Sequence, residues 1–275
     1  MKYIFTVIVL LAVVGSYFAF RDDTTDSVDT SHPTVTGVAS AVDLDQVAFD
    51  GPYVVTITDA DGNEHVIEVP SMGIQLCAAA DRIASVGDIE VGDTVHVHGI
   101  INETGAIVPC ESDDHFLIVT GTYTDETSGY QFNYTKSPDG YVLVDTTGGI
   151  SLFDRAEYEA FIASASLDAR EGPPALGVAV YANDENQSAA VWSTENSDLT
   201  NEGLAIGAPE EAVVGGANAV YFVADGLWPL HTYVVAHDSK MYVLTAMIPD
   251  GRDALLQDFM ALVDTFTFVQ TPDQL

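Results

Sequence analysis

The sequence predicts an α+β body in two units: a small β-barrel, then an antiparallel sheet with helices packed on it. Two observations predict this. Between Thr34 and Val119, short segments alternate apolar and polar residues and are rich in β-branched side chains, the pattern of half-buried strands. From Thr122 onward, further strand-like runs follow one another while helical spacing is confined to separate stretches, as in a sheet with helices laid on it.

In the first unit, residues 34–120, the strand-like segments are Thr34 to Val42, Tyr53 to Thr58, Glu64 to Val69, Thr94 to Ile101 and Phe116 to Val119. Asp59-Ala60-Asp61-Gly62-Asn63 reads as the hairpin connection between the second and third. The Ala-rich piece from Ala78 to Ala84 reads as a short helix before the fourth strand. That order suggests a small closed barrel of the OB type. The run Ile89-Glu90-Val91-Gly92-Asp93-Thr94-Val95-His96-Val97-His98-Gly99 resembles the G-D-x-V-x-V-x-G strand of OB-fold domains, with Gly92 and Asp93 making the turn and Val95 and Val97 facing inward. The resemblance implies a module that binds oligonucleotides, sugars or proteins, or that only builds structure. Nucleic acid is excluded as a partner, because Arg82 is the single Lys or Arg of this unit and phosphate binding rests on basic residues.

In the second unit, residues 121–270, Thr124 to Tyr134 reads as a turn leading into an aromatic strand. Asp154 with Glu157 forms a capping-box-like helix start, followed by Tyr158, Phe161, Ile162 and Ala165 at helical spacing. Ala175 to Tyr181 reads as a strand, and Ala219 to Val223, His231 to Ala236 and Lys240 to Ile248 as a meander. Leu255, Phe259 and Leu262 mark an amphipathic helix, and Thr265 to Val269 a last strand. The run Ser128-Gly129-Tyr130-Gln131-Phe132-Asn133-Tyr134 resembles the G-Y-x-F-x-Y-P opening strand of PsbP-like proteins, with Thr135 where proline is usual, and Phe259 to Phe268 resembles their helix followed by S/T-F-x-F. These signatures are packing positions. They imply the PsbP-like fold and an accessory or binding role, and carry no catalytic residue.

The N-terminus and the charge set the expected location. Lys2 precedes an almost unbroken apolar run from Tyr3 to Phe20, which as a helix would span roughly 27 Å, close to a bilayer core. Residues 1–21 are therefore read as a signal anchor or transmembrane segment, with the membrane as partner through residues 3–20, and 22–33 as an acidic flexible tether. This predicts a single-pass cell-membrane protein with its body on the extracytoplasmic side, secreted if the N-terminus is cleaved. Asp and Glu total 42 against 8 Lys and Arg, a net charge of −34, which hydrates the surface and resembles the composition of salt-adapted proteins. Self-repulsion of this size is screened by salt. The melting temperature is expected to rise from low to molar salt, and a flat profile would contradict this reading.

The sequence lacks a phosphate loop with Lys, a Gly-x-Ser-x-Gly elbow, a His-Glu-x-x-His run and a Cys-x-x-Cys pair, and it calls for no cofactor. Cys77 and Cys110 are its two cysteines and, in an exported chain, are expected to form one disulfide. His96 and His98 alternate on one strand and face one way, so with His115 they could chelate zinc. His231 and His237 share a face but stand about 20 Å apart along an extended strand, too far to share a metal. Asp59, Asp61, Asn63 and Glu64 resemble the opening of a calcium loop, although Gly62 comes too early and no closing Glu follows. Asp113 and Asp114 beside His115 offer acid–base chemistry, and Trp192, Trp228 and Tyr233 offer a binding surface. The expected function is a non-catalytic envelope protein with binding or assembly modules and an unidentified envelope protein or polymer as partner. The competing readings are an enzyme acting on envelope polymers through paired carboxylates and a surface calcium binder.

Overall fold

The computed structural model describes residues 32–44, 51–71, 74–164 and 172–270. The expected membrane anchor, and the tether as far as residue 31, lie outside them. Among the described residues no helix is long and apolar enough to cross a membrane.

The chain opens with β1 (Thr34–Asp43), β2 (Tyr53–Asp59) and β3 (Glu64–Val69), an antiparallel meander. Alternation decides what it buries: Val55, Ile57, Ile67 and Val69 are fully enclosed. Where a helix was expected at Ala78 to Ala84, the chain instead makes separate 3-10 turns at Ile74–Leu76, Ala80–Arg82 and Val86–Asp88. Tertiary bonds override the helical propensity of alanine here. The Cys77–Cys110 disulfide forms as expected, the Ala78 amide donates to the Cys110 carbonyl at 3.0 Å, and Ile83 bridges to Leu117.

Strands β4 (Thr94–His98), β5 (Ile100–Ile101), β6 (Ile107–Val108) and β7 (Phe116–Asp125) follow. β4 lies between β1 and β7, while β6 runs parallel to β3 and antiparallel to β5. Gly99 separates β4 from β5. A side chain there would strike the Val108 carbonyl oxygen at 2.5 Å, so the close approach of this segment to β6 requires glycine. β7 runs on past Val119 to Asp125 and pairs with β8 (Tyr130–Ser137).

Then come β9 (Tyr141–Thr146), β10 (Gly149–Asp154), helix α1 (Arg155–Ala163) and β11 (Ala175–Ala182). The Asp154 carboxylate accepts from the Glu157 amide at 2.9 Å, the N-cap that the sequence announces. Short helices α2 (Ala189–Glu195) and α3 (Ser197–Thr200) lead to the hairpin β12 (Glu210–Val214) and β13 (Ala217–Ala224). β14 (Leu230–His237), β15 (Lys240–Met247), α4 (Asp253–Thr265) and β16 (Thr267–Phe268) complete the described chain.

The described residues are mostly β, with two sheets and few helices. One sheet has nine strands in the order β16-β8-β7-β4-β1-β2-β3-β6-β5, the other seven in the order β12-β13-β14-β15-β11-β10-β9. Among the described residues the strand order is that of a nine-stranded sheet in which β7 carries the pairing on to β8 and β16, and the closed five-stranded barrel is not found.

β7 serves two cores with one face. Leu117 and Val119 belong to the cluster of Val55, Ile57, Ile67, Val95 and Val97. Tyr123, further along the same face, packs against the second cluster, in which Tyr130 and Phe132 of β8 and Phe259 and Phe266 of the C-terminal segment meet Leu152, Leu176, Tyr242 and Leu244 of the seven-stranded sheet. Stacking of Tyr130 on Phe266, ring centroids 5.4 Å apart, adds to that burial. The opposite face of the seven-stranded sheet holds a third, smaller cluster, where α2 lays Trp192 against Phe222, Val234 and Val243.

Candidate functional site

Two places gather features that could act on another molecule: a histidine cluster beside the disulfide, and a cleft on the open part of the seven-stranded sheet.

The histidine cluster is built by three elements. β4 places His98 at its end, and the loop leaving Cys110 brings Asp114 and His115. His32 enters from the segment just ahead of β1. The loop is held at its base by the disulfide and along its length by Arg82, which donates to the Asp113 carbonyl at 2.9 Å and lies over Phe116 at 5.6 Å. His115 is fully buried. Its Nε2 lies 3.3 Å from His32 Nδ1, and its ring centroid is 5.4 Å from those of both His32 and His98. Burial holds its pKa below the ordinary histidine value, with His98 and His32 adding to the effect and Asp114 opposing it, so it is neutral at pH 7. His98 Nδ1 is 3.2 Å from the Pro33 carbonyl oxygen and 2.9 Å from Thr34 Oγ1. The Thr34 hydroxyl can donate to that nitrogen or accept from it, whereas the Pro33 carbonyl can only accept. His98 Nε2 faces Asp114 Oδ2 at 3.8 Å. Ligand atoms of His98, Asp114 and His115 all lie within 4.8 Å of one another.

The sequence named His98 and His115 but joined them to His96, which the structure leaves out: it is half-buried and bonded to Thr36 Oγ1 at 2.9 Å through Nδ1. Asp114 reaches the histidines, whereas Asp113 is exposed and contributes its carbonyl to Arg82. His32 was missed, because its nearness to His115 is set by how the first strand enters the sheet.

The acidic turn has a structural task. Asp59 Oδ1 accepts from the amides of Asp61 at 2.9 Å and Asn63 at 2.8 Å, and Oδ2 pairs with His65 Nε2 at 2.8 Å. The bond to His65 and then those to Asn63 hold the Asp59 carboxyl well below the usual carboxylate range. Its oxygens close the β2–β3 hairpin. His231 bonds Tyr221 Oη at 2.8 Å and His237 stacks on Phe268, so the two are engaged separately.

The cleft encloses about 530 Å³. It lies on the face of the seven-stranded sheet that α2 and α3 cover only in part. Ser151 and Phe153 of β10 and Met247 of β15 form its floor, and Leu204, Leu227 and Trp228 its wall. Leu227 is 70% exposed. Of the three aromatic residues expected at a binding surface, Trp228 borders this cleft. Trp192 and Tyr233 are buried, the first against Tyr181 and the second against Tyr221 and Phe259. Both are packing residues, a correction that follows from strand parity and from the helices lying over them.

The fold and these sites define a class only coarsely: a mostly β protein of two sheets with few helices. No protein-family model and no curated protein matches the chain. Among solved structures it is similar to a crystal structure from Bacteroides thetaiotaomicron at 10% identity and TM-score 0.37, covering 54% of this chain and 48% of that one. The chain thus spans about half the length of that relative. It is also similar to the solution structure of cyanobacterial PsbP (CyanoP) from Synechocystis sp. PCC 6803, at 15% identity and TM-score 0.39, covering 54% of this chain and 92% of that one. Overlaps this loose carry no functional argument.

Proposed function

We propose that this chain is a non-catalytic, membrane-tethered envelope protein whose extracytoplasmic body binds its ligand without transforming it. The observation that carries the reading is the lining of the 530 Å³ cleft, which is largely apolar and, among the described residues, has Asp225 as its one ionisable side chain. Hydrolysis of an envelope polymer by paired carboxylates needs two of them roughly 5–10 Å apart across a bound chain. A cleft of several hundred Å³ with apolar walls and a few polar groups suits recognition. The occupant is a neutral or cationic molecule with an apolar group, since the chain's charge of −34 opposes an anion.

The organisation belongs to the same proposal. Residues 3–20 anchor the chain and 22–33 tether it. Residues 34–120 form an OB-like module, supported by the β1–β2–β3 meander, the β1–β4 pairing and the parallel β3–β6 pair. Residues 121–270 form a PsbP-like module, supported by the aromatic strand β8 and by α4 running into β16.

The test uses Trp228 as reporter. In a Trp192→Phe variant Trp228 is the single tryptophan. Titration with N-phenyl-1-naphthylamine, a neutral apolar probe, should give a saturable change in its emission at one probe per chain. Leu227→Asp should weaken the probe's binding at least tenfold. A linear, non-saturating response, or one unaltered by Leu227→Asp, would remove the cleft as the binding site.

A further inference from the structure

We propose that His32, His98, Asp114 and His115 form a binding site for a divalent transition-metal ion of the zinc class. Three features of the cluster point to a cation. His98 Nε2 and Asp114 Oδ2 face each other at 3.8 Å, an imidazole nitrogen opposite a carboxylate. Ligand atoms about 2.0–2.2 Å from a shared tetrahedral zinc stand roughly 3.3–3.6 Å apart; those of His98, Asp114 and His115 lie within 4.8 Å of one another and would draw together on the ion, with His32 Nδ1, now 3.3 Å from His115 Nε2, turning to complete the set. The support around the ligands is of the kind that orients metal sites: a backbone carbonyl on the far nitrogen of His98, and a loop fixed by a disulfide and by Arg82.

The donor set selects the metal. Imidazole nitrogens with one carboxylate suit zinc, copper or nickel, whereas calcium and magnesium take oxygen ligands. The site is distinct from the diffuse attraction that a charge of −34 exerts on any cation. It also joins the point where the N-terminal segment enters the body to β4 and to the disulfide loop, so an ion there would fix His32 to the sheet.

The test is zinc titration of the full chain, prepared without a histidine tag and stripped with EDTA, in molar NaCl with millimolar calcium to suppress binding by surface carboxylates. One zinc per chain is expected, and cobalt in its place should show the visible absorption of a tetrahedral ion. His32→Ala and Asp114→Asn, at positions exposed enough to leave the fold intact, should each weaken zinc at least tenfold, while His96→Ala leaves it unchanged. Zinc that calcium displaces, or an affinity indifferent to both His32→Ala and Asp114→Asn, would overturn the site. So would weakening by His96→Ala equal to that by Asp114→Asn.

Discussion

Replacing Lys136 by methionine should destabilise the protein by about 3 kcal/mol, near the lower end of what breaking a buried ion pair costs. Lys136 Nζ donates to Asp93 Oδ2 at 2.9 Å and to Glu90 Oε2 at 3.1 Å, with Lys136 14% and Asp93 8% exposed at the side chain. Glu90 is 81% exposed and contributes little. The weight falls on Asp93, whose Oδ2 also accepts from the Glu90 amide at 2.8 Å. Without the ammonium, a carboxylate remains in a site that water barely reaches, in a chain that already carries −34. The pair matters for architecture because it ties β8, which faces the second core, to the turn that opens β4 in the first. Chemical denaturation should show the loss, and Lys136→Met combined with Asp93→Asn should recover most of it. A loss below about 1 kcal/mol in the single variant would mean that water satisfies Asp93, and the claim would fail.

The second large effect concerns the disulfide. Replacing Cys77 and Cys110 by alanine should lower stability by roughly 3–4 kcal/mol, the chain-entropy value for a loop of this size; the two cysteines are 33 residues apart in sequence. The loss should carry a local signature as well. Cys110 sits at the base of the loop that ends in His115, so amide exchange in residues 109–115 should quicken more than in β1 or β2, where side-chain burial and strand pairing persist. A uniform change across the sheet, or a global loss below about 1 kcal/mol, would show that strand pairing and Arg82 alone hold the loop.

Much of the local structure was legible because it depends on neighbours in the chain. Alternation marked Tyr53 to Thr58 and Glu64 to Val69 as strands, and Val95 and Val97, expected to face inward, are fully buried. The Asp154 cap and the helical spacing of Leu255, Phe259 and Leu262 gave α1 and α4. Three elements, β9, β10 and α2, passed unread although a signal was present. Tyr141 to Phe153 alternates around Gly148, whose positive φ of 88° marks the β9–β10 turn, and Ser188 caps α2 by accepting from the Val191 amide at 3.3 Å. The alanines of 78–84 misled because helix propensity is worth only tenths of a kcal/mol per residue and yields to a covalent bridge and a strand contact.

The candidate sites divide in the same way. Residue type marked His98, His115, Asp114 and Trp228 as able to do chemistry or bind, and a period of two put His96 beside His98. A strand separates i and i+2 by about 7 Å, however, so a cluster needs donors from other elements, and those came from a loop and from the residue before β1. By itself, the sequence determined the strands, the caps, the cysteine pair and the acidic surface, since each follows from short-range periodicity or from composition. Only the tertiary structure decided which histidines meet, which aromatic residues are packing and which face of the seven-stranded sheet stays open. Those outcomes depend on strands far apart in the chain coming to lie side by side, and no local pattern encodes that distance.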